Sequence, residues 1–479
     1  MERLRNLRLK NAKIVLVERV EGGNFTAENG MHLENLPPFV RAVIHTEQGN
    51  SFIRHEVWLP DGWNGIFVGT GNGGLAGQIY HAALAEQIQK GYAAANTDMG
   101  TSRGRESGAG NPDMWMDFGW RATHEMTALA KEIIFAYYGK QPDYSYFVGA
   151  STGGEQAFAE AQRFPLDYDG IIAGVPANNR LYLHTYFLWN WRHLRPFGKP
   201  LFTDEEIEQI YQCAVAFMQS KGDGEIGDNF VSNPWPDANT IGDFMAYLAA
   251  RCPAFSSEQL SALEAVYKGP KNPRTGEQIY CGMPIGSEIF GCGISDCQGK
   301  ESPYLFPFIW AFGATYTGKH FDFDRDLDKA SELLSSHVNA NSPDLSAFKK
   351  AGGKMIAFSG GSDPCVPYPD AIKYYNRAAE HAGGYENLAS FFRFFLYAGR
   401  DHGNTGKGIN TIFNNETDKG TLLDALRLWR EKGIAPSSTV GARIEDGKEL
   451  FLRKTYPYKA NGKEGADFAP SCADRYLLY

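Results

Sequence analysis

"SYFVGASTGGEQAF", residues 145–158, is the stretch on which the reading of this chain turns. Apolar, β-forming residues from Tyr146 to Val148 run into a glycine-rich turn. The residues after it have helical spacing as far as Pro165. The pentad Gly149-Ala150-Ser151-Thr152-Gly153 matches G-x-S-x-G. Such a pentad meets a steric demand: a strand reverses into a helix within a few residues, and the serine is held strained with its Oγ above the sheet. Glycines on both sides permit the turn. The competing reading is a glycine-rich loop without chemistry, or a phosphate cradle. No lysine follows, which removes the P-loop.

Outward from this point, strands and helices alternate. "NAKIVLVERV" and "FIRHEVWLP" alternate in polarity, as half-buried strands do. "NGIFVGTGNGGLAG" reads as a buried strand entering a glycine loop. "MDFGWRATHEMTALAKEIIFAYYG" has apolar residues at helical spacing and ends on Gly139, a helix stop. "YDGIIAGVPA" is a further buried strand. This order predicts a parallel sheet covered on both faces. From about 179 to 345 the chain becomes rich in Trp, Phe and Tyr, with helical pieces such as "TDEEIEQIYQCAVAFMQ". That segment reads as an inserted helical subdomain. Alternation resumes at "GGKMIAFSGGSDP" and "FFRFFLYAG". The expected architecture is an α/β core, 1–178 and 346–479, interrupted by a helical lid, 179–345.

A serine hydroxyl is a poor nucleophile at neutral pH and needs a general base. Asp363 follows one late strand and His402 the next, in the chain order serine, acid, histidine. Ligands bind at such strand ends. Asp363 would orient the imidazole, and His402 would take the Ser151 proton and return it to a leaving alcohol. Asp401 is the rival acid, but adjacency in sequence makes its side chain diverge from His402. The oxyanion donors are expected to be the amide of Thr152 and that of Gly73 or Gly74 in the early glycine loop.

Composition narrows the remaining classes. The chain has 479 residues, 43% hydrophobic and 22% charged, with a formal net charge of −9. No basic block stands out, which argues against nucleic acid as a partner. No apolar run is long enough to span a membrane. "MERLRNLRLKNAKIVLVERV" lacks a signal peptide's apolar centre, so a cytoplasmic protein is expected, or a secreted one if a leader has been removed. The seven cysteines, Cys213, Cys252, Cys281, Cys292, Cys297, Cys365 and Cys472, include no C-x-x-C pair. Free thiols or one local disulfide are expected rather than zinc. In "FDFDRDLD", strict alternation places Asp322, Asp324, Asp326 and Asp328 on one solvated face of an extended segment, with Phe321, Phe323 and Leu327 opposite.

These motifs, together with "YKGPKNPRTGEQIYCGMPIGSE", "NSPDLSAFKKAGGKMIAFSGGSDP" and "YPYKA", make the chain resemble the tannase and feruloyl esterase family of α/β-hydrolases. That family includes mono(2-hydroxyethyl) terephthalate hydrolases. The resemblance implies an α/β-hydrolase core with a lid inserted before the catalytic aspartate, and carboxylic-ester hydrolysis by Ser151, Asp363 and His402. It also implies a lid that holds the aromatic acid. In "SPYLFPFIWAFGATYTG", Trp310 and Phe312 are expected as pocket wall, with Tyr304 and Phe308 behind; lid core is the competing reading for each.

The departures from the family carry information too. Its disulfide between the serine and histidine loops would need cysteines where this chain has Ala150 and Gly403. Tyr456 stands at another family cysteine position and leaves Cys472 without that partner. Losing several bridges together fits a reducing compartment. Of the family's calcium loop, Asp223 and Asp228 remain, whereas "CAVAFMQS" has no carboxylate; calcium takes six to eight oxygens. No cofactor is expected for the chemistry, and a structural calcium is doubtful. The expected substrate is a small aromatic ester, a hydroxycinnamate or gallate ester of plant origin. The alternatives are other aromatic esters such as terephthalate monoesters, or a non-catalytic ligand-binding relative. The oligomeric state is left open.

Overall fold

In the computed structural model, which describes residues 1–225, 227–232, 238–417 and 419–459, the apolar run before Ser151 is a strand and the residues after it form the helix Thr152–Arg163. The chain divides into two units. The first comprises Met1–Arg180, Phe308–Tyr316 and Leu333–Met355; the second comprises Leu181–Pro307, Thr317–Glu332 and Ile356–Tyr479.

The first unit contains β1 (Ala12–Val20), β2 (Gly23–Thr26), β3 (His32–Leu36), β4 (Phe39–Gln48), β5 (Ser51–Pro60), β6 (Ile66–Thr70), β7 (Ala93–Thr97), β8 (Tyr144–Ala150) and β9 (Gly170–Gly174). Seven of them form a sheet in the order β1-β4-β5-β7-β6-β8-β9, while β2 and β3 pair separately. The pairs β7/β6, β6/β8 and β8/β9 are parallel. The pairs β1/β4, β4/β5 and β5/β7 are antiparallel.

Within the first unit, the parallel pairing expected from the alternation runs through β6–β9, and the strands before them pair as antiparallel neighbours. The reason lies in the connections. Parallel neighbours need a crossover of about a dozen residues or more. Only Gly49 and Asn50 separate β4 from β5, so that pair can only be a hairpin. All five residues of β6, β7 and β9 are buried, as strands covered on both faces should be. The strand β8 lies between β6 and β9, so its C-terminal end, where Ser151 begins, sits inside the sheet rather than at an edge.

The second unit carries the helices Asp204–Ser220, Ala238–Arg251 and Ser257–Lys268, and the helix Arg180–Leu194 apart from its first residue. A capping box of Thr203 and Glu206 starts the first of these. Between Leu181 and Leu345 the described residues form helices and no strand beyond an isolated bridge, Lys271 to Gln278. After them come the neighbouring strands β10 (Lys354–Gly360) and β11 (Phe392–Tyr397). A three-stranded antiparallel sheet of β12 (Thr411–Phe413), β13 (Thr439–Glu445) and β14 (Lys448–Thr455) follows. No described helix is long and apolar enough to cross a membrane.

The aspartate run 322–328 departs from expectation. It is the start of the helix Arg325–Val338, not an extended face. Asp322 Oδ1 accepts the amides of Asp324 and Arg325 at 2.9 and 3.2 Å, and Asp326 Oδ2 accepts that of Asp322 at 3.1 Å. Unpaired amides and the positive end of the helix dipole favour carboxylates there over an alternating strand. Phe321, Phe323 and Leu327 are buried, as the pattern required.

Candidate active site

At the end of β8 the backbone of Ser151 takes φ 61° and ψ −118°. A non-glycine residue here is strained, at a cost of order 1–3 kcal/mol, and must be held by its surroundings. The Ser151 amide donates to the Gly174 carbonyl at 2.9 Å. Its carbonyl accepts the amides of Gly154, Glu155 and Ala177 at 2.9–3.1 Å. The side chain makes no helix-capping bond.

The glycines around it are needed for close packing. A Cβ on Gly71 would lie 2.5 Å from the Cα of Gly153, and one on Gly149 would lie 2.4 Å from the Gly153 carbonyl oxygen. The early glycine loop therefore lies directly against the first turn of the helix Thr152–Arg163. The amide of Thr152 is the first of that helix and has no partner within it. The Gly153 amide, by contrast, donates to the Asn72 carbonyl at 2.7 Å. The Thr152 end of the helix and the loop of Asn72, Gly73 and Gly74 thus meet at one backbone junction.

Asp363 and His402 both belong to the second unit, and the structure brings them together. Nδ1 of His402 donates to Asp363 Oδ2 at 2.8 Å; the carboxylate can only accept. Asp363 is fully buried, and its other oxygen accepts the amides of Cys365 and Val366 at 2.8 and 2.9 Å. The two loops are tied by Gly361 donating to the Tyr397 carbonyl at 2.8 Å and Ser362 to the Arg400 carbonyl at 3.0 Å. Burial pulls the His402 pKa down, but the charge and hydrogen bond of Asp363 outweigh it and the pKa is raised. Asp401, the rival acid, instead accepts the hydroxyl of Thr405 at 2.7 Å.

The four aromatics predicted to hold substrate do not share one environment. Trp310 is fully buried in the first unit, where Nε1 donates to the Arg105 carbonyl at 2.9 Å and the ring meets Phe118 edge-on at 5.4 Å. Trp310 is therefore part of the core packing. Phe308 is buried, and Phe312 is half-buried against Tyr316. Tyr304, in the second unit, is 40% exposed. Its hydroxyl lies 4.0 Å from Cys292 Sγ, and the charges of Cys365 and, after burial, Cys292 raise its pKa. Cys292 also acts electrostatically on His402. Cys292 and Cys365 are thus neighbours of the Asp363–His402 pair that the sequence did not single out. All six described cysteines are free, and Cys472 lies outside the described residues.

At Asp223 and Asp228, the candidate calcium ligands, both carboxylates bind groups of the protein. The Asp228 carboxylate pairs with the guanidinium of Arg453, which is 2% exposed and lies over Phe230 and Phe451. Its other oxygen accepts the Glu225 amide at 3.0 Å, and Asp223 accepts the Ser232 amide at 2.7 Å. A fixed cation thus holds an Asp228 oxygen for which a metal would have to compete. Chelation with EDTA is expected to leave the melting temperature and activity of the native protein unchanged. Arg453→Met, which strands a buried carboxylate, is expected to cost about 3–5 kcal/mol, read by denaturant unfolding. A fall in native melting temperature under EDTA would show that a metal binds after all. Among the described residues, His124, Glu160 and Asp167 also have metal-ligand spacing. There His124 Nδ1 donates to Asp167 at 2.7 Å, and burial, reinforced by the charge of Asp167, pushes the Glu160 carboxyl well up.

Known proteins resemble this chain in sequence and in fold. The family model described as "Tannase and feruloyl esterase" matches residues 39–304 and 313–470. An uncharacterized esterase of Xanthomonas campestris pv. campestris is 32% identical over 91% of this chain and 83% of its own length. A probable feruloyl esterase B-2 of Aspergillus flavus is 30% identical over 86% of this chain and 81% of its own. In fold, the crystal structure of feruloyl esterase B from Aspergillus oryzae superposes with a TM-score of 0.83 at 24% identity, covering 95% of this chain and 94% of that one. Tannin acyl hydrolase from Aspergillus niger gives 0.74 at 18% identity, covering 95% and 91%. With its α/β sheet, its serine turn and its aspartate–histidine pair, the chain belongs to the tannase and feruloyl esterase family of carboxylic ester hydrolases.

Proposed function

We propose that this chain hydrolyses esters of plant phenolic acids through a serine-bound acyl-enzyme. The observation that carries the reading is the strained backbone of Ser151, a non-glycine residue held at φ 61° between β8 and its helix. Strain of that kind persists where function requires it. The relatives named feruloyl esterase and tannin acyl hydrolase support the substrate class.

In this mechanism Ser151 Oγ attacks the ester carbonyl while His402 Nε2 takes its proton. Asp363 holds Nδ1–H, which fixes the tautomer and stabilises the imidazolium. The carbonyl oxygen becomes an oxyanion and meets the Thr152 amide and that of Gly73 or Gly74. The imidazolium then protonates the departing alcohol, and water, deprotonated by the same ring, releases the acid. Apart from the ester and one water molecule, each step uses groups of this chain.

A substrate panel tests the proposal. Methyl ferulate, methyl p-coumarate, chlorogenic acid, methyl gallate and a terephthalate monoester would be ranked by kcat/KM. Hydroxycinnamates or gallate are expected at the top. A ranking led by the terephthalate monoester, or by short aliphatic esters, would overturn the phenolic assignment while leaving the ester hydrolase intact.

A further inference from the structure

Behind the first turn of the helix Thr152–Arg163 lies a buried ion pair that the mechanism above does not use. Arg180 is 3% exposed and Glu155 fully buried. Nε of Arg180 donates to Glu155 Oε2 at 2.8 Å, and Nη2 donates both to that oxygen and, at 3.0 Å, to Thr152 Oγ1. The guanidinium also lies 5.2 Å from the centre of the Phe118 ring, which fixes its plane. Thr152 Oγ1 donates in turn to the Gly74 carbonyl at 2.7 Å.

The direction of these bonds matters. A guanidinium has no acceptor, so the threonine hydroxyl must accept from Arg180. It has one proton, which it donates to the Gly74 carbonyl. Arg180 thereby sets the hydroxyl rotor, and the rotor pins the Gly74–Leu75 peptide, the one that follows the Gly74 amide. A second arm runs beside it: Gln156 Oε1 accepts the Asn72 amide at 2.8 Å, and Gln156 Nε2 donates to Thr123 Oγ1 at 2.8 Å. Both arms tie the early glycine loop to the turn that carries Ser151. The Thr152 side chain is thus the link between two backbone segments, each expected to supply an oxyanion donor.

We infer that Arg180 and Glu155 are positioning residues for the oxyanion hole: through the Thr152 hydroxyl they hold the Gly74 carbonyl, and so the glycine loop that carries the Gly73 and Gly74 amides, relative to the Thr152 amide. This rests on the serine-esterase reading above. The physical warrant is that catalytic hydrogen bonds act only when preorganised, and that a misplacement of about 1 Å can cost about 10²-fold in rate. A pair that only braced the fold would have no need to include the hydroxyl of the residue next to the nucleophile.

Three variants test it. Thr152→Val keeps the ion pair, the amide and nearly the side-chain volume, but removes the link. Arg180→Met removes the donor, and the double variant Thr152→Val/Arg180→Met asks whether the two act through one hydroxyl. Should Arg180→Met fail to fold, Thr152→Val alone still decides. The readouts are kcat and KM on methyl ferulate, or on p-nitrophenyl acetate if methyl ferulate is not turned over, and the Ki of phenylboronic acid. Boronic acid forms a tetrahedral anion on the serine and so reports the hole directly.

Each single variant is expected to lose about tenfold to a hundredfold in kcat. KM should stay within about threefold, boronate inhibition should weaken by a factor close to the kcat loss, and the double should resemble the worse single. Unchanged kcat and boronate affinity in Thr152→Val would overturn the proposal. Losses that multiply in the double variant, or that track only a fall in melting temperature, would do the same. Ser151→Ala is the control that separates the two readings. If it retains turnover, the serine mechanism fails; if it does not, the variants speak to the positioning pair alone.

Discussion

Ser151→Ala is expected to lower kcat/KM on any ester this protein hydrolyses by at least about 10³-fold, equivalent to about 4 kcal/mol of barrier. The substitution removes the attacking atom and leaves the rest in place. Alanine has the same Cβ as serine, so the strain at φ 61° is unchanged, and the Ser151 amide keeps its bond to Gly174. The melting temperature should therefore barely move. Ser151→Gly makes the complementary point. It should be as inactive as the alanine variant yet melt higher, because glycine tolerates positive φ where any Cβ is strained. A serine in a merely tight loop would also gain stability from glycine, so only the pairing of lost turnover with gained stability identifies a strained nucleophile. Near-native turnover by Ser151→Ala would remove the residue from the chemistry.

The same serine shows why part of this site was legible in the sequence. A strand, a glycine-flanked serine and a helix in that order leave few conformations, because the backbone itself has to turn sharply. Asp363 and His402 were legible for a related reason: both follow directly on late strands, where the fold gathers its loops. The groups that brace the serine turn were not. Gln156 meets Asn72 across 84 positions and Arg180 meets Glu155 across 25, contacts that no local pattern announces.

Arg453 and Asp228 are 225 positions apart. The surviving aspartates could be read, but the cation that neutralises one of them could not. Aromatic density misled at Trp310, since an apolar ring reads alike as pocket wall or as core, and here Phe118 and Arg105 take it into the core. The hairpin of β13 and β14 is a different case. The dipeptide Asp446-Gly447 between them is a strong hairpin signal that the sequence carries locally.

Asp363→Asn is expected to show how much of the rate depends on the tautomer of His402. The loss should be about 10⁴-fold near neutral pH. An asparagine can keep its oxygen on the Cys365 and Val366 amides and then presents its NH2 group to His402. The ring must now accept at Nδ1, so its proton moves to Nε2, and it can no longer take one from a serine. The pH profile separates this from simple damage. In the native protein the Asp363 charge and hydrogen bond outweigh burial, so the His402 pKa lies above the ordinary imidazole range. Since the base works only when neutral, the acid limb of kcat/KM should fall off at that raised value. Without the carboxylate only burial remains as the dominant influence, and burial lowers the pKa. The variant's ring should therefore stay neutral to lower pH, as followed by NMR of the imidazole protons. Residual activity should climb at high pH, where hydroxide can replace the missing base. If the variant instead kept the native acid limb with only a small drop in rate, Asp363 would not be the group that orients His402. The buried oxygen of Asp401 would then have to be reconsidered.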